Sequence, residues 1–187
     1  MGSRQRQKAR GETSGELAMA DGTTVPFRAV SPSDAPALQR LHERLSERSI
    51  ELRFFGLLEE LSDGMAERLA RAEDSDRLAL AALAPDAGGE GEEIVAVVSY
   101  EGEGGGESAE YAAVVEDRWQ GRGLGVAMTE RLAVEARGRR VGRLYALVTP
   151  ENERMLGLLR GLGLPTQTPH QEGAECVEVD LGRDPGA

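Results

Sequence analysis

A glycine-rich segment at residues 120–125, with the sequence QGRGLG, has the residue types and spacing that most clearly suggest chemistry in this chain. A strand-like run at 107–116 precedes it, and apolar side chains at every fourth position follow: Leu124, Met128, Leu132 and Ala136. That spacing predicts one face of a helix. The first N–H groups of a helix have no intrahelical acceptor, and glycine has no Cβ to keep a ligand from the backbone. This order of strand, glycine turn and helix predicts an anion site, and a pyrophosphate is the anion that suits it.

Two other phosphate-binding loops do not fit these glycines. A Walker loop ends in Gly-Lys-Ser/Thr, whereas this segment ends in Leu124-Gly125. A dinucleotide-binding turn has the pattern Gly-x-Gly-x-x-Gly, whereas Gly121, Gly123 and Gly125 are evenly spaced. A glycine turn that only begins a helix remains the alternative interpretation.

The elements that must position this loop can be predicted from the alternation of apolar and polar residues. Short links between three successive strands predict antiparallel pairing, and the strands on either side of the helix at 123–137 should be parallel neighbours. The order predicts an α+β fold, a three-layer α/β arrangement in which helices flank a mixed, mostly antiparallel sheet with a central parallel pair. The predicted strands are 23–30, 77–84, 93–101, 107–116, 143–149, 164–169 and 174–181. Three helices are predicted to span 49–57, 123–137 and 150–162, and two more to begin near Ser31–Asp34 and near Ser62–Asp63.

Length and composition indicate one domain, because 187 residues with 40% hydrophobic content suffice for one core. We expect a flexible N-terminal tail at 1–21, a folded domain at 22–182, a C-terminal tail at 183–187 and no fused regulatory domain.

The formal net charge of −11 argues against nucleic-acid binding. A single cysteine, Cys176, excludes an internal disulfide, and no apolar run is long enough to cross a bilayer, so we expect a cytoplasmic protein without a membrane partner. The sequence predicts no metal site.

The loop at 120–125 resembles the Gln/Arg-x-x-Gly-x-Gly/Ala pyrophosphate loop of the GNAT acetyltransferases, which bind acetyl-CoA, and the element order over about 23–182 resembles the GNAT fold. The segments 28–34, 45–46 and 52–56 resemble the start of the bacterial Pat-type protein lysine acetyltransferases. The resemblance implies an acetyl-CoA-dependent N-acetyltransferase that acetylates a primary amine, with a protein lysine as the expected acceptor. A small-molecule amine acetyltransferase and a catalytically silent acyl-CoA-binding regulatory domain are the alternatives.

The resemblance also implies which residues bind acetyl-CoA. In the family pattern the pantetheine arm pairs with strand backbone, here that of Val114 and Val115, and an oxyanion-hole N–H lies near Val115. The N–H groups of the loop bind the pyrophosphate, and Arg122 either adds an ion pair or is solvated. Asn152 matches a residue that faces the cofactor, and it could also cap the next helix. The predicted cofactor-binding residues are Val114, Val115, Gln120, Gly121, Arg122, Gly123, Leu124, Gly125, Val126 and Asn152.

Acetyl transfer to an amine needs a group that takes up a proton, because a lysine with a pKa near 10.4 is neutral in only about one molecule in two thousand at pH 7. Pat-like enzymes have their general base glutamate at the position that Glu110 matches. Glu110 lies in mid-strand among small and aromatic residues, which are expected to raise the pKa of its carboxyl group and suit a base. The alternatives are that Glu110 only faces solvent or that Glu116 is the base. In the GNAT fold the mixed-charge segment at 45–60 would border the acceptor cleft.

Overall fold

The computed structural model describes residues 13–182 apart from 72, 75, 87, 90, 103–106, 162–165, 168–169 and 172–173. Its helices are α1 (Ala35–Glu43), α2 (Glu47–Phe54), α3 (Asp63–Ala70), α4 (Leu124–Gly138) and α5 (Glu153–Gly161). Its strands are β1 (Ser14–Ala18), β2 (Thr24–Ala29), β3 (Glu73–Asp74), β4 (Arg77–Pro85), β5 (Glu92–Gly102), β6 (Ser108–Val115), β7 (Arg143–Val148), β8 (Thr166–Gln167), β9 (His170–Gln171) and β10 (Ala174–Asp180). Short 3-10 turns at Pro32–Asp34 and Asp117–Trp119 precede α1 and follow β6.

The strands form one sheet in the order β1-β2-β4-β5-β6-β7-β10-β8, with β3 beside β4 and β9 beside β10. Strands β6 and β7 are parallel, and the other pairs in the described chain are antiparallel. This confirms the predicted mixed sheet with its central parallel pair. Helix α4 makes the crossover between those two strands, as parallel pairing requires.

Helices cover both faces of the sheet and define two apolar cores. One core lies under α4 and α5, where Leu124, Met128, Leu132 and Ala136 are buried at the predicted spacing of four. The other lies under α1 and α3 and includes Leu38, Leu41 and Ala66. Strand β4 is buried without alternation from residues 78 to 84 because both of its faces are covered.

The N-terminal tail predicted at 1–21 is wrong in part. Residues Ser14–Ala18 form β1, which pairs with β2 from Ser14↔Arg28 to Ala18↔Thr24. Leu17 and Met19 are buried, so this short segment is held to the sheet by ladder bonds and by apolar burial. Residues 1–12 lie outside the described residues. Pro26 of β2 pairs with Glu16 of β1 just beyond the β2–β4 ladder, so β1 and not β2 forms this edge of the sheet.

Element boundaries differ from the predictions by a few residues. The helix predicted at 49–57 is α2 at 47–54, because the side chain of Ser46 accepts the Ser49 N–H at 3.2 Å and caps it early. Ser62 caps α3 as predicted, accepting the Met65 N–H at 3.4 Å. Of the strand predicted at 164–169, only Thr166–Gln167 falls within the described residues, and the tail at 183–187 lies outside them.

Candidate functional site

Strands β6 and β7 separate before either one ends. They pair from Ser108↔Arg143 to Glu110↔Tyr145 and no farther, although β6 stays paired with β5 as far as Val115 and β7 stays paired with β10 as far as Val148. The sheet therefore opens between the second halves of these two strands. An open edge of this kind presents unpaired backbone donors and acceptors to an extended ligand.

The hydrogen-bond alternation identifies which residues of β6 face the gap. The Glu116 N–H donates to the Val95 carbonyl at 2.9 Å, and the β5–β6 register is regular throughout. In an antiparallel ladder every second residue bonds its partner, so the backbone of Val114 faces β5 and that of Ala113 and Val115 faces the gap. By this alternation the backbone of Val114, predicted to pair with the pantetheine arm, points toward Val97 of β5 rather than into the gap.

The side chain of Gln120 crosses the mouth of this gap. Its Nε2 donates to the Val115 carbonyl at 2.9 Å and to the Ser49 Oγ at 3.1 Å, and its Oε1 accepts a hydrogen bond from Arg154. Gln120 thus links the end of β6 to α2 on one side and to α5 on the other. The sequence predicted a role for the backbone N–H of Gln120 but not for its side-chain amide.

Two glycines of the loop adopt a backbone conformation that other residues rarely adopt. Gly121 and Gly123 have φ values of +72° and +86°, a region that side-chain-bearing residues rarely adopt, and no heavy atom lies within 4 Å of a Cβ built at either position. Helix α4 begins after Gly123, and its first hydrogen bond joins the Ala127 N–H to the Gly123 carbonyl at 3.0 Å. The N–H groups before Ala127 have no intrahelical acceptor and lie at the positive end of the helix dipole.

Glycine at position 125 is explained by close packing and not by a positive φ. A Cβ at this position would lie 3.2 Å from the Leu158 Cδ1 and 3.6 Å from the Val115 Cγ2. Glycine here permits α4 to lie close against α5 and the end of β6.

A cleft of about 770 Å³ joins the gap between β6 and β7, the glycine loop and the first turns of α4 and α5. Eight of the ten predicted cofactor-binding residues line it: Val114, Val115, Gln120, Gly121, Gly123, Gly125, Val126 and Asn152. Leu124 does not, because its side chain is fully buried in the core under α4. Arg122 does not either; its guanidinium lies 4.5 Å from the centre of the Trp119 ring and 3.6 Å from an Asp21 carboxylate oxygen.

Asn152 takes the helix-capping role that the sequence left open. Its Oδ1 accepts the Met155 N–H at 3.1 Å at the start of α5, and the residue also borders the cleft. The cap fixes the first turn of α5 against the cleft.

Glu110 lies on the face of β6 that α2 covers, with an exposed side chain. The expected enclosure by an aromatic neighbour is wrong, because successive strand residues point to opposite faces and Tyr111 lies under α4. The Tyr111 hydroxyl bonds the Thr129 Oγ1 at 2.6 Å, and burial raises its pKa above the usual range. The charged group near Glu110 is Arg53 of α2: burial lowers the pKa of Arg53, and the charge of Glu110 opposes that shift.

Glu116, the alternative base, is buried in an ion-pair network. Its Oε2 accepts the Arg44 Nε at 3.0 Å, and its Oε1 accepts the Arg118 Nε at 2.5 Å. Glu93 pairs with both arginines, at 3.4 Å from Arg44, and Arg44 also donates to the Ile94 carbonyl at 2.7 Å. Both oxygens of Glu116 are therefore occupied, and the network ties the end of α1 to the start of the glycine loop.

A second contact, which the sequence analysis missed, holds α2 beside the cleft. Asp117 accepts the Ser46 N–H at 3.0 Å, the Ser46 Oγ at 2.7 Å and the Ser49 Oγ at 2.9 Å. Burial raises the pKa of Asp117, but these hydrogen bonds outweigh it and lower the pKa below its usual value. The pair of serines three residues apart at the start of α2 was the signal in the sequence.

The described residues contain no group of three or more His, Cys, Asp or Glu side chains placed to bind a metal ion. No helix among them combines the length and the apolar character needed to cross a membrane.

The chain matches a known protein family and resembles several solved structures. Residues 39–164 match the family model described as the acetyltransferase (GNAT) family. The GNAT domain of S. lividans PAT is similar at 29% identity and a TM-score of 0.81, over 89% of this chain and 96% of that one. A cAMP-binding acyltransferase from Mycobacterium smegmatis shares 24% identity at a TM-score of 0.62, and the match covers 91% of this chain but 48% of that protein. YncA from Salmonella typhimurium, solved with its cofactor acetyl-CoA, shares the fold at 14% identity and a TM-score of 0.66, over 88% of this chain and 98% of that one.

Proposed function

Because the chain belongs to the acetyltransferase (GNAT) family, we propose that it transfers an acetyl group from acetyl-CoA to the ε-amine of a protein lysine, with Glu110 as general base. The observation that carries the cofactor assignment is the continuity of the β6–β7 gap with the glycine loop in one cleft. A ligand with a strand-like amide arm and a pyrophosphate needs these two features side by side.

The residues present fit such a ligand. The backbones of Ala113 and Val115 face the gap and would pair with the amides of the pantetheine arm. The N–H groups of the loop and of the first turn of α4 would bind the pyrophosphate, since a Cβ at Gly121 or Gly123 would occupy the open space before them. Acetyl-CoA supplies an activated acyl group as a thioester; the chain supplies the binding surface and the proton acceptor.

Glu110 is proposed as that acceptor because its carboxylate is exposed and lies on the face that α2 shares with the cleft. It is four residues from Val114, which lines the cleft and lies about 13 Å away along the strand. The amine proton would reach Glu110 directly or through a water molecule. Such a base contributes about 10²–10⁴ in rate. Glu116 is less suited because guanidinium groups occupy both of its oxygens.

The exposure of Glu110 also favours a protein acceptor over a small amine. Sites for small molecules bury most of the ligand surface, and Glu110 does not line the 770 Å³ cleft. Two apolar side chains that follow α2 are exposed as well, Phe55 by 53% and Leu57 by 76%. An open surface with exposed apolar side chains suits a lysine presented on another polypeptide.

The test is acetylation followed by intact-mass analysis of lysine-containing peptides and of free amines, with wild type and with Glu110→Gln. The variant should bind CoA normally and lose about 10²–10⁴ of its turnover at pH 7, with partial recovery at higher pH because more of the amine is then already neutral. Glu101→Gln is the matched control, since Glu101 pairs directly across from Glu110 on β5. Its turnover should stay within about twofold of the wild type.

Each other outcome has a defined meaning. If Glu110→Gln retains more than about a tenth of wild-type turnover at pH 7 with chemistry rate-limiting, Glu110 is not the base. Turnover of free amines without turnover of peptides would assign a small-molecule acceptor. Binding of acetyl-CoA with no turnover of any amine would assign the silent regulatory role.

A further inference from the structure

Arg53 is a half-buried cation that has the charge of Glu110 in its neighbourhood but no direct polar contact among the described residues. Its guanidinium centre lies 5.1 Å from the centroid of the Phe54 ring. Within the part of the chain that the structure describes, it makes no hydrogen bond and no ion pair within 4 Å. Other arginines near the cleft do have such partners: Arg44 with Glu116, Arg48 with Glu51 and Arg154 with Gln120. A half-buried guanidinium with free N–H groups costs desolvation energy that an added anion would recover.

The position of Arg53 assigns the anion to the acceptor rather than to CoA. Arg53 borders the cleft and also a small apolar cavity of about 50 Å³ that Ala112 and Val114 line. Ala112 is two residues from Glu110, about 7 Å along β6 and on the same face of the sheet. The glycine loop lies beyond the other end of β6 and has its own N–H groups for the pyrophosphate. Arg53 therefore lies on the side of the cleft toward the proposed base and not at the glycine loop.

We propose that Arg53 binds a carboxylate of the acceptor, so that the enzyme prefers a lysine with an acidic neighbouring residue. The inference rests on the proposed function, with the amine directed to Glu110 and the carboxylate to Arg53. The Phe54 ring contacts the guanidinium and leaves N–H groups for a two-bond contact with the carboxylate. The net charge of −11 repels an acidic peptide at long range, so the preference has to come from this local contact.

The test uses two blocked peptides, each with a single lysine, that differ only in having glutamate or glutamine on both sides of it. The wild type should show a kcat/KM about 10–100 times higher for the glutamate peptide, the range expected for a charge-assisted hydrogen bond. In Arg53→Gln the ratio of the two kcat/KM values should fall close to one, and in Arg53→Lys it should be intermediate. Arg48→Gln is the matched control on the same helix and should keep the wild-type ratio, because Arg48 is exposed and already paired with Glu51.

The ratio is measured within one protein, so a general loss of activity in a variant cancels. A wild-type ratio near one would overturn the inference and leave the proposed function intact. A high ratio that Arg53→Gln and Arg53→Lys both retain would also overturn it, because the carboxylate would then be bound elsewhere. Failure of the wild type to acetylate either peptide would overturn the proposed protein acceptor and this inference with it.

Discussion

Replacement of Glu116 by glutamine should destabilise the domain far more than the same replacement at Glu51. Each carboxylate accepts an arginine hydrogen bond of ordinary length, 3.0 Å from Arg44 to Glu116 and 2.9 Å from Arg48 to Glu51. Their burial differs: the side chain of Glu116 is 5% exposed, whereas those of Arg48 and Glu51 are 53% and 52% exposed. The comparison therefore sets a buried carboxylate with two arginine partners against an exposed one with a single partner.

The expected size follows from the contacts. The Arg44–Glu116 bond is a charge-assisted hydrogen bond shielded from water, worth about 1.5–3 kcal/mol. The bond from Arg118, whose side chain is half exposed, adds at most about 1 kcal/mol. Loss of both predicts about 2–4 kcal/mol for Glu116→Gln, against about 0–1 kcal/mol for Glu51→Gln. For a domain of this size, a loss of about 3 kcal/mol lowers the thermal midpoint by about 6–12 °C.

Urea unfolding and thermal scans of the wild type and both variants measure these losses. Turnover of folded Glu116→Gln at pH 7 and pH 9 is the companion measurement, and its ratio should match the wild type because the base is expected to be Glu110. A loss below about 1 kcal/mol for Glu116→Gln, or one equal to that of Glu51→Gln, would refute the argument from burial. A flattened pH dependence with little loss of stability would return Glu116 to the role of base.

Three further predictions concern the cleft. Gly123→Asp should lower CoA affinity at least tenfold in calorimetry, because it strains a φ of +86° and adds negative charge where phosphate binds. Gly64→Asp, at an open position in the first turn of α3, is the control. Unchanged affinity in folded Gly123→Asp would rule out the pyrophosphate site. Gly125→Val should cost about 1–3 kcal/mol in urea unfolding, because even its Cβ would lie 3.2 Å from Leu158, and an unchanged midpoint would show that α5 moves freely. Asp117→Asn should lower the free energy of unfolding at pH 7, and its difference from the wild type should shrink as the pH falls below about 4. The reason is that a carboxyl group whose pKa is lowered by folding stabilises the fold only while it is ionised. An equal difference in unfolding free energy at pH 7 and pH 3 would contradict this dependence on ionisation.

Local rules predicted the features that depend on neighbours in the chain. The spacing of Leu124, Met128, Leu132 and Ala136 predicted α4 and its buried face, because helical periodicity is set within a few residues. The glycines at 121 and 123 predicted a loop whose backbone a ligand can approach, and no heavy atom lies within 4 Å of a Cβ built at either position. The strand period of two turns Tyr111 toward α4 and Glu110 to the opposite face, which is why the expected apolar enclosure of Glu110 is wrong.

The sequence by itself thus determined the family, the glycine loop and the order of strands and helices from β2 onward, apart from the two-residue strands β3 and β9. Only the tertiary structure decided where β6 and β7 part, because that depends on how each strand pairs with its other neighbour. It also decided which glutamate is buried: Glu116 meets Arg44 across 72 residues of chain, a separation at which sequence spacing says nothing about distance. Contacts between segments far apart in sequence form only when the whole core is packed, and they give Glu110 its exposure, Glu116 its ion pairs and Arg53 its place beside the cleft.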